Sequence, residues 1–201
     1  DMSTTAFRLL RQLVPEDKDD LFIVGDSHQR IYRRKVVLLH AKINVRGRRG
    51  RRLKLNYRTT DEIRCYALGV LEGKEIDDLD GGLDSSKGYK SLMHGEPPRV
   101  ERCKTFDAEV DAIASYVKEG DPSQTCLVAR THSLLGQYEA ALEARDVETY
   151  HIRRSAAEDR SAAGLRLATM HRVKGLEFDR VIVAGAKDGV IPLRQALDSS
   201  E

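Results

Sequence analysis

Residues 125–152 read TCLVARTHSLLGQYEAALEARDVETYHI, and this stretch decides the fold class. Thr125–Ala129 is an apolar run of strand length, Ser133–Ala144 is a helix candidate, and Val147–Ile152 returns to a strand pattern. Strand, helix and strand in close succession form the unit from which parallel sheets are built. Downstream, Leu165–Met170 and Val181–Ala186 are further strand candidates. Upstream, Asp107–Val117 places Val110, Ile113, Ala114 and Val117 on one helical face, and Arg99–Cys103 is a preceding strand candidate. The alternation predicts an α/β domain with a largely parallel sheet flanked by helices. In such sheets ligands bind on loops leaving the carboxyl ends of strands.

The first half of the chain is less regular. Ser3 is placed to cap a helix carrying Phe7, Leu10, Leu13 and Val14. Leu21-Phe22-Ile23-Val24, halted by Gly25-Asp26, reads as a buried parallel strand ending in a loop. Leu53-Lys54-Leu55 is a shorter strand candidate, and a helix is expected from about Thr60, with Thr59 or Thr60 as its cap. Residues 77–98 (DDLDGGLDSSKGYKSLMHGEPP) are rich in Asp, Gly, Ser and Pro and read as a long loop or linker. They lack the register of a calcium loop.

Composition narrows the function classes. With 201 residues, 40% hydrophobic and 33% charged, the chain supports a packed core beneath a very hydrophilic surface. No stretch approaches the roughly 18 uninterrupted apolar residues of a membrane helix, and Asp1-Met2-Ser3-Thr4 does not open a signal peptide. The three cysteines, Cys65, Cys103 and Cys126, are widely spaced, which argues against disulfide and zinc frameworks and for a reducing cytoplasm. The net charge of +2 conceals an asymmetry: of 34 Lys and Arg, twelve fall in residues 30–58, which contain no acid, leaving 22 against 32 acidic residues elsewhere. Such a segment points to a polyanion partner or, in the bland alternative, to a solvated basic loop at 46–52. With only Tyr32 and Tyr57 interleaved, phosphate contacts are favoured over base stacking.

Three loops then combine. They are Val24-Gly25-Asp26-Ser27-His28-Gln29-Arg30-Ile31-Tyr32, Leu55-Asn56-Tyr57-Arg58-Thr59-Thr60, and Ala168-Thr169-Met170-His171-Arg172-Val173-Lys174-Gly175-Leu176-Glu177-Phe178. In this order they resemble motifs III, IV and V of the UvrD/Rep/PcrA-like superfamily 1 DNA helicases. Leu127–Thr131 with Tyr138–Leu142, and Asp188-Gly189-Val190-Ile191-Pro192, resemble the family's neighbouring segments.

The resemblance implies two RecA-like (P-loop NTPase-type) lobes closing on ATP and Mg²⁺, with this chain mostly the second lobe. It implies that Gly25 and Asp26 belong to the nucleotide-binding loop and that Gln29 reads the γ-phosphate and orients the attacking water. Tyr57 would stack on adenine, and Arg58 would act as an arginine finger in cis. Glu177 would bond the ribose or sense the nucleotide, and Gly175 would permit close approach of its loop. Thr169 and His171 would touch the single-strand backbone, while Lys174 would contact phosphate or support the loop. Tyr32 and Arg33 are the DNA contacts implied at motif III, because Tyr32-Arg33-Arg34-Lys35-Val36-Val37 lacks the family's base-stacking aromatic. The 38 residues between Arg130 and Thr169 leave no room for the accessory subdomain that UvrD inserts there.

Other family elements have no counterpart. There is no G-x-x-x-x-G-K-[ST]; Gly69–Glu75 has the wrong spacing and ends in Glu. The Asp-Glu pair of motif II is missing, although Asp1-Met2-Ser3 resembles the residues that follow it, and motif VI is expected beyond Asp198–Glu201. The chain therefore reads as a helicase fragment: residues 1–60 the tail of the first lobe with motifs III and IV, residues 61–201 the second lobe with linker 77–98 and motif V, truncated before motif VI. The expected function is that of an ATP-dependent, cytoplasmic DNA helicase or translocase acting on single-stranded DNA or junctions, with DNA repair among the implied processes. The fragment alone is expected to be inactive as an ATPase. The alternative is a degenerate, non-catalytic nucleic-acid-binding or protein-interaction module. A helicase–nuclease subunit is disfavoured by the lack of clustered metal-binding carboxylates, and membrane association is not expected.

Overall fold

The computed structural model describes residues 2–17, 20–26, 29, 36–76, 78, 82–83, 88–153, 159 and 161–193. The chain divides into two compact units, Asp1–Arg99 and Val100–Glu201.

The second unit follows the expected alternation. Its sheet contains β3 (Thr125–Ala129), β4 (Thr149–His151), β5 (Leu165–Thr169) and β6 (Arg180–Val183). The order is β4-β5-β3-β6 and every neighbouring pair is parallel. Every residue of β3 and β5 is buried, as expected of central strands covered on both faces. Leu127, Ala129, Leu165 and Leu167 project to one face. There they meet Val110, Ile113, Ala114 and Val117 of α3 (Phe106–Lys118) and Leu135, Tyr138 and Leu142 of α4 (His132–Glu143). Cys126, Val128 and Ala168 project to the other face, which is covered by Ile152 and by side chains of the loop after β5, namely Met170, Val173, Leu176 and Phe178. A parallel sheet flanked by helices is thus present, with α3 and α4 on one face and loop residues on the other.

Local chemistry explains the helix limits. Thr105 caps α3 by accepting from the Ala108 N–H at 3.1 Å, and Thr131 caps α4 by accepting from Leu134 at 3.2 Å. At the other end of α3, Arg180 donates to the carbonyls of Tyr116 (2.8 Å) and Val117 (3.2 Å) and to the Thr125 hydroxyl (3.1 Å). Its guanidinium also lies 4.8 Å from the Tyr116 ring centre. A cation on these late carbonyls complements the helix dipole and ties β6 to α3 and β3. Burial, with Glu109 beside it, pushes the Tyr138 hydroxyl above its ordinary value. Among the described residues, the chain between Arg130 and Thr169 supplies α4, β4 and most of β5, with no inserted subdomain.

The first unit departs further from expectation. The helix α1 (Thr4–Leu13) forms as read, with the Ser3 hydroxyl accepting from Ala6 at 3.2 Å. Leu21–Val24, however, is not a strand. Leu21 and Ile23 pack on Val36, Leu38, Ala41 and Ile43, whereas Phe22 is 93% and Val24 77% exposed. The alternation is that of a strand, but among the described residues no segment offers the hydrogen-bonded neighbour a strand requires. Arg99–Cys103 is likewise irregular. The strand expected at Leu53–Leu55 lies further on: β1 (Leu55–Thr60) contains the Asn56–Thr60 motif itself. It is followed by α2 (Asp61–Gly69), capped by Thr60 at 3.3 Å from the Ile63 N–H. The segment read as a linker contains β2 (Lys90–Met93), parallel to β1 with Leu55 opposite Lys90 and Asn56 opposite Ser91. The resemblance implies a lobe boundary at residue 60, whereas packing keeps β1, α2 and β2 together in the first unit.

Candidate functional site

In the first unit, Asn56 organises its motif. Its side-chain carbonyl accepts from the Arg58 N–H at 2.8 Å and the Thr59 N–H at 3.4 Å, while its amide donates to the Thr59 hydroxyl at 2.6 Å. An Asn that bonds the backbone two residues on makes a tight local turn. The turn leaves both Tyr57 and Arg58 exposed, Tyr57 at 67%. Ser91 of β2 buttresses the motif from across the sheet. Its hydroxyl lies on the carbonyls of Asn56 (3.2 Å) and Thr59, and its N–H donates to Asp61 at 2.9 Å. An exposed aromatic ring and an exposed guanidinium are therefore carried by successive residues of a braced strand.

Acids at the start of α2 complete this brace. The Arg64 guanidinium, 2.8 Å away, and then the Ser91 N–H hold the Asp61 carboxyl well below the usual carboxylate range. Glu62 is lowered by His94 foremost, at 3.0 Å, and accepts also from the Gly95 N–H at 3.0 Å. Both acids favour the positive end of the helix dipole. Because the Asp61 carboxyl titrates lower in the folded chain than its ordinary value of 3.8, its contribution to stability is complete above that value and is lost as pH falls below it. Urea midpoints followed by amide exchange in α2 and β2 should fall between about pH 4 and pH 2. Asp61→Asn should lower the midpoint at pH 7 and flatten that acid limb; an unchanged limb would assign the loss to other carboxyls.

The loop at Gly25–Tyr32 is described only in part. Gly25, Asp26 and Gln29 are exposed, and the Gln29 amide donates to the Asp26 carboxylate at 2.9 Å. Tyr32 and Arg33 lie outside the described residues. Among the other expected residues, Gln29, Tyr57 and Arg58 belong to the first unit, and Thr169 through Glu177 to the second.

In the second unit, the third motif leaves the carboxyl end of β5, a central strand. Thr169 is 7% exposed, and its carbonyl accepts from the N–H groups of Arg172 (2.8 Å) and Val173 (3.0 Å), which turns the chain sharply. Gly175 sits at φ +85° with no atom within 4 Å of where a Cβ would stand. The left-handed turn, rather than crowding, therefore demands glycine here. Val173, Leu176 and Phe178 pack down on the sheet while His171, Lys174, Gly175 and Glu177 face outward. This apolar and polar division gives the loop an anchored base and an exposed polar rim.

Arg130 joins this rim. It follows β3, and its Nη1 donates to His171 Nδ1 at 3.3 Å. The sequence placed Arg130 within the family-like segment Leu127–Thr131 but gave it no role, and 41 residues separate it from His171. His132 is exposed on α4, and His94 is engaged with Glu62. None of the three cysteines forms a disulfide; Cys126 is buried and the other two are exposed. No helix among the described residues is long and apolar enough to cross a membrane.

No curated protein matches the chain. Among solved structures, the C-terminal domain of a possible DNA helicase from Lactobacillus plantarum WCFS1 is similar at 23% identity. That similarity covers 64% of this chain and 67% of that one, with a TM-score of 0.47. Residues 152–201, which contain β5, the loop at 169–178 and β6, match the model of the UvrD-like helicase C-terminal domain. The match falls on the segment that carries the third motif, so residues 152–201 are similar to the UvrD-like helicase C-terminal domain.

Proposed function

We propose that the chain works within an ATP-dependent helicase or translocase of the UvrD type that moves on single-stranded DNA in the cytoplasm. The observation that carries this reading is the coincidence of the family match with an exposed polar loop at the carboxyl end of a parallel sheet. On this reading Thr169, His171 and Lys174, with Arg130 beside them, engage the strand's backbone, and Glu177 and Gly175 belong to the nucleotide side of the same loop. Tyr32 and Arg33 contribute further DNA contacts, and Gly25 and Asp26 belong to the first lobe's nucleotide loop. The lobe assignment follows the motifs, with residues 1–60 from the first RecA-like lobe and 61–201 from the second.

ATP suits the side chains present in the first unit. Tyr57 offers an open ring to adenine, Arg58 a planar fork to phosphate oxygens, and Gln29 an amide able to orient water. Mg²⁺ does not suit them. Among the described residues no three His, Cys, Asp or Glu side chains gather as a metal site, and the sequence has no P-loop hydroxyl. On this reading the metal's ligands belong to the motifs this sequence lacks, and the 201 residues alone bind DNA without turning over ATP.

Anisotropy with a labelled dT oligonucleotide, run alongside a phosphate-release assay, tests both halves. The chain should bind the oligonucleotide, and Lys174→Gln should lower the salt slope by about 0.7, one single-strand phosphate contact. His171→Ala should weaken binding further. Binding untouched by both substitutions removes the loop from the DNA track. DNA-stimulated phosphate release above background overturns the claim of inactivity.

A further inference from the structure

The arginine-rich stretch of the first unit lies outside the three motifs, and the proposed track for a single strand makes no use of it. Residues 46–52 read Arg-Gly-Arg-Arg-Gly-Arg-Arg. This is not a featureless tail. The Asn44 side chain accepts from the Arg46 N–H at 3.0 Å, Val45 packs against the Val36–Ile43 cluster, and Gly47–Arg49 form a 3₁₀ turn entered at φ +68°. The chain then folds back so closely that a Cβ at Gly50 would stand 2.9 Å from the Val45 carbonyl oxygen, which only glycine allows. Arg49 and Arg51 are exposed on this loop, and among the described residues neither makes an ion pair or side-chain hydrogen bond. Residues 36–58 contain no acid that would neutralise it locally.

Arg49 and Arg51 are like charges held close together on a backbone of fixed shape, an arrangement that an anion relieves. The choice of arginine throughout favours phosphate, whose oxygens match the guanidinium fork. The loop itself has no aromatic side chain, so it offers nothing for unstacked bases to lie on. A contact made only to backbone phosphates gains most where phosphates are densest. Duplex DNA carries one charge per about 1.7 Å of axis against about 3.4 Å per single strand. We propose that the Arg46–Arg52 loop is a second nucleic-acid surface that grips the phosphate backbone of a duplex without reading its sequence, separate from the single-strand loop at Thr169–Lys174. It is carried by the loop's charge and shape and does not depend on the ATP chemistry proposed above.

The test uses the 201-residue chain, with a labelled 20-base-pair duplex of arbitrary sequence and a dT single strand as probes, titrated across KCl concentrations. Arg49→Gln with Arg51→Gln should weaken duplex binding roughly tenfold at low salt and reduce its log–log salt slope by about 1.8, two duplex contacts. Single-strand binding should change far less, and Lys174→Gln should show the reverse preference. Arg49→Lys with Arg51→Lys should keep the slope. Gly50→Ala, which changes no charge, should weaken the duplex complex if loop shape matters. An unchanged duplex slope in the Gln pair, equal losses on both probes, or displacement of the duplex by polyglutamate at matched charge would each overturn the assignment. Failure of Lys174→Gln alone would count against the single-strand reading and leave this one standing.

Discussion

In a protein that supplies the missing phosphate-binding motifs, Arg58→Ala is expected to reduce DNA-stimulated ATP turnover by about 10³-fold or more, the range associated with an arginine finger. Nucleotide binding should persist, because the ring of Tyr57 and the turn set by Asn56 remain in place. The loss is large because phosphoryl transfer leaves little to the protein beyond positioning and cationic stabilisation of the developing charge. Arg58→Lys should not restore the rate, since an ammonium cannot reproduce the planar fork. Steady-state phosphate release and fluorescent-nucleotide titration on the same preparation separate the two effects. Turnover within a few-fold of the wild type would remove Arg58 from the reaction.

The second large effect concerns folding. Leu127 is fully buried at the middle of β3, whose neighbours are β5 and β6. It packs in the cluster shared with α3 and α4. Leu127→Ala should destabilise the second unit by about 3–5 kcal/mol, the range for a leucine removed from a site that cannot collapse. A central strand hydrogen-bonded on both sides has little freedom to shift into the space. Urea unfolding followed by a probe confined to the second unit reads the change, and a loss below about 1 kcal/mol would mean that the helices close over the gap. Leu127→Met should cost far less, since volume is largely conserved.

The two halves of the chain differ in how far their sequence could be read. In the second unit local pattern and tertiary outcome agree: the apolar runs at 125–129 and 165–169 became fully buried strands, and the face at 110, 113, 114 and 117 is the buried face of α3. In the first unit the same kind of evidence led elsewhere. Leu21–Val24 has the composition of a parallel strand, yet a strand is a property of two segments, and its partner cannot be read from the segment itself. The error at 77–98 has the same origin. Lys90–Met93 is polar enough to resemble a linker and becomes a strand because Ser91 bonds to Asn56, Thr59 and Asp61, some 30 residues earlier.

The sequence by itself determined the fold class of the second unit, the cap at Ser3, the family likeness of the third motif and the charge segregation around residues 30–58. All of these are written in contiguous residues, where periodicity, a capping hydroxyl or a run of arginines acts over a few bonds. Only the tertiary structure decided that Asn56–Thr60 is itself a strand, that Arg130 meets His171, and that Arg180 closes the end of α3. It also decided that Gly50 folds the arginine loop back on Val45. The longest of these contacts join groups 30 to 64 residues apart in the chain. Their geometry depends on the sum of many weak packing terms, which no local pattern encodes.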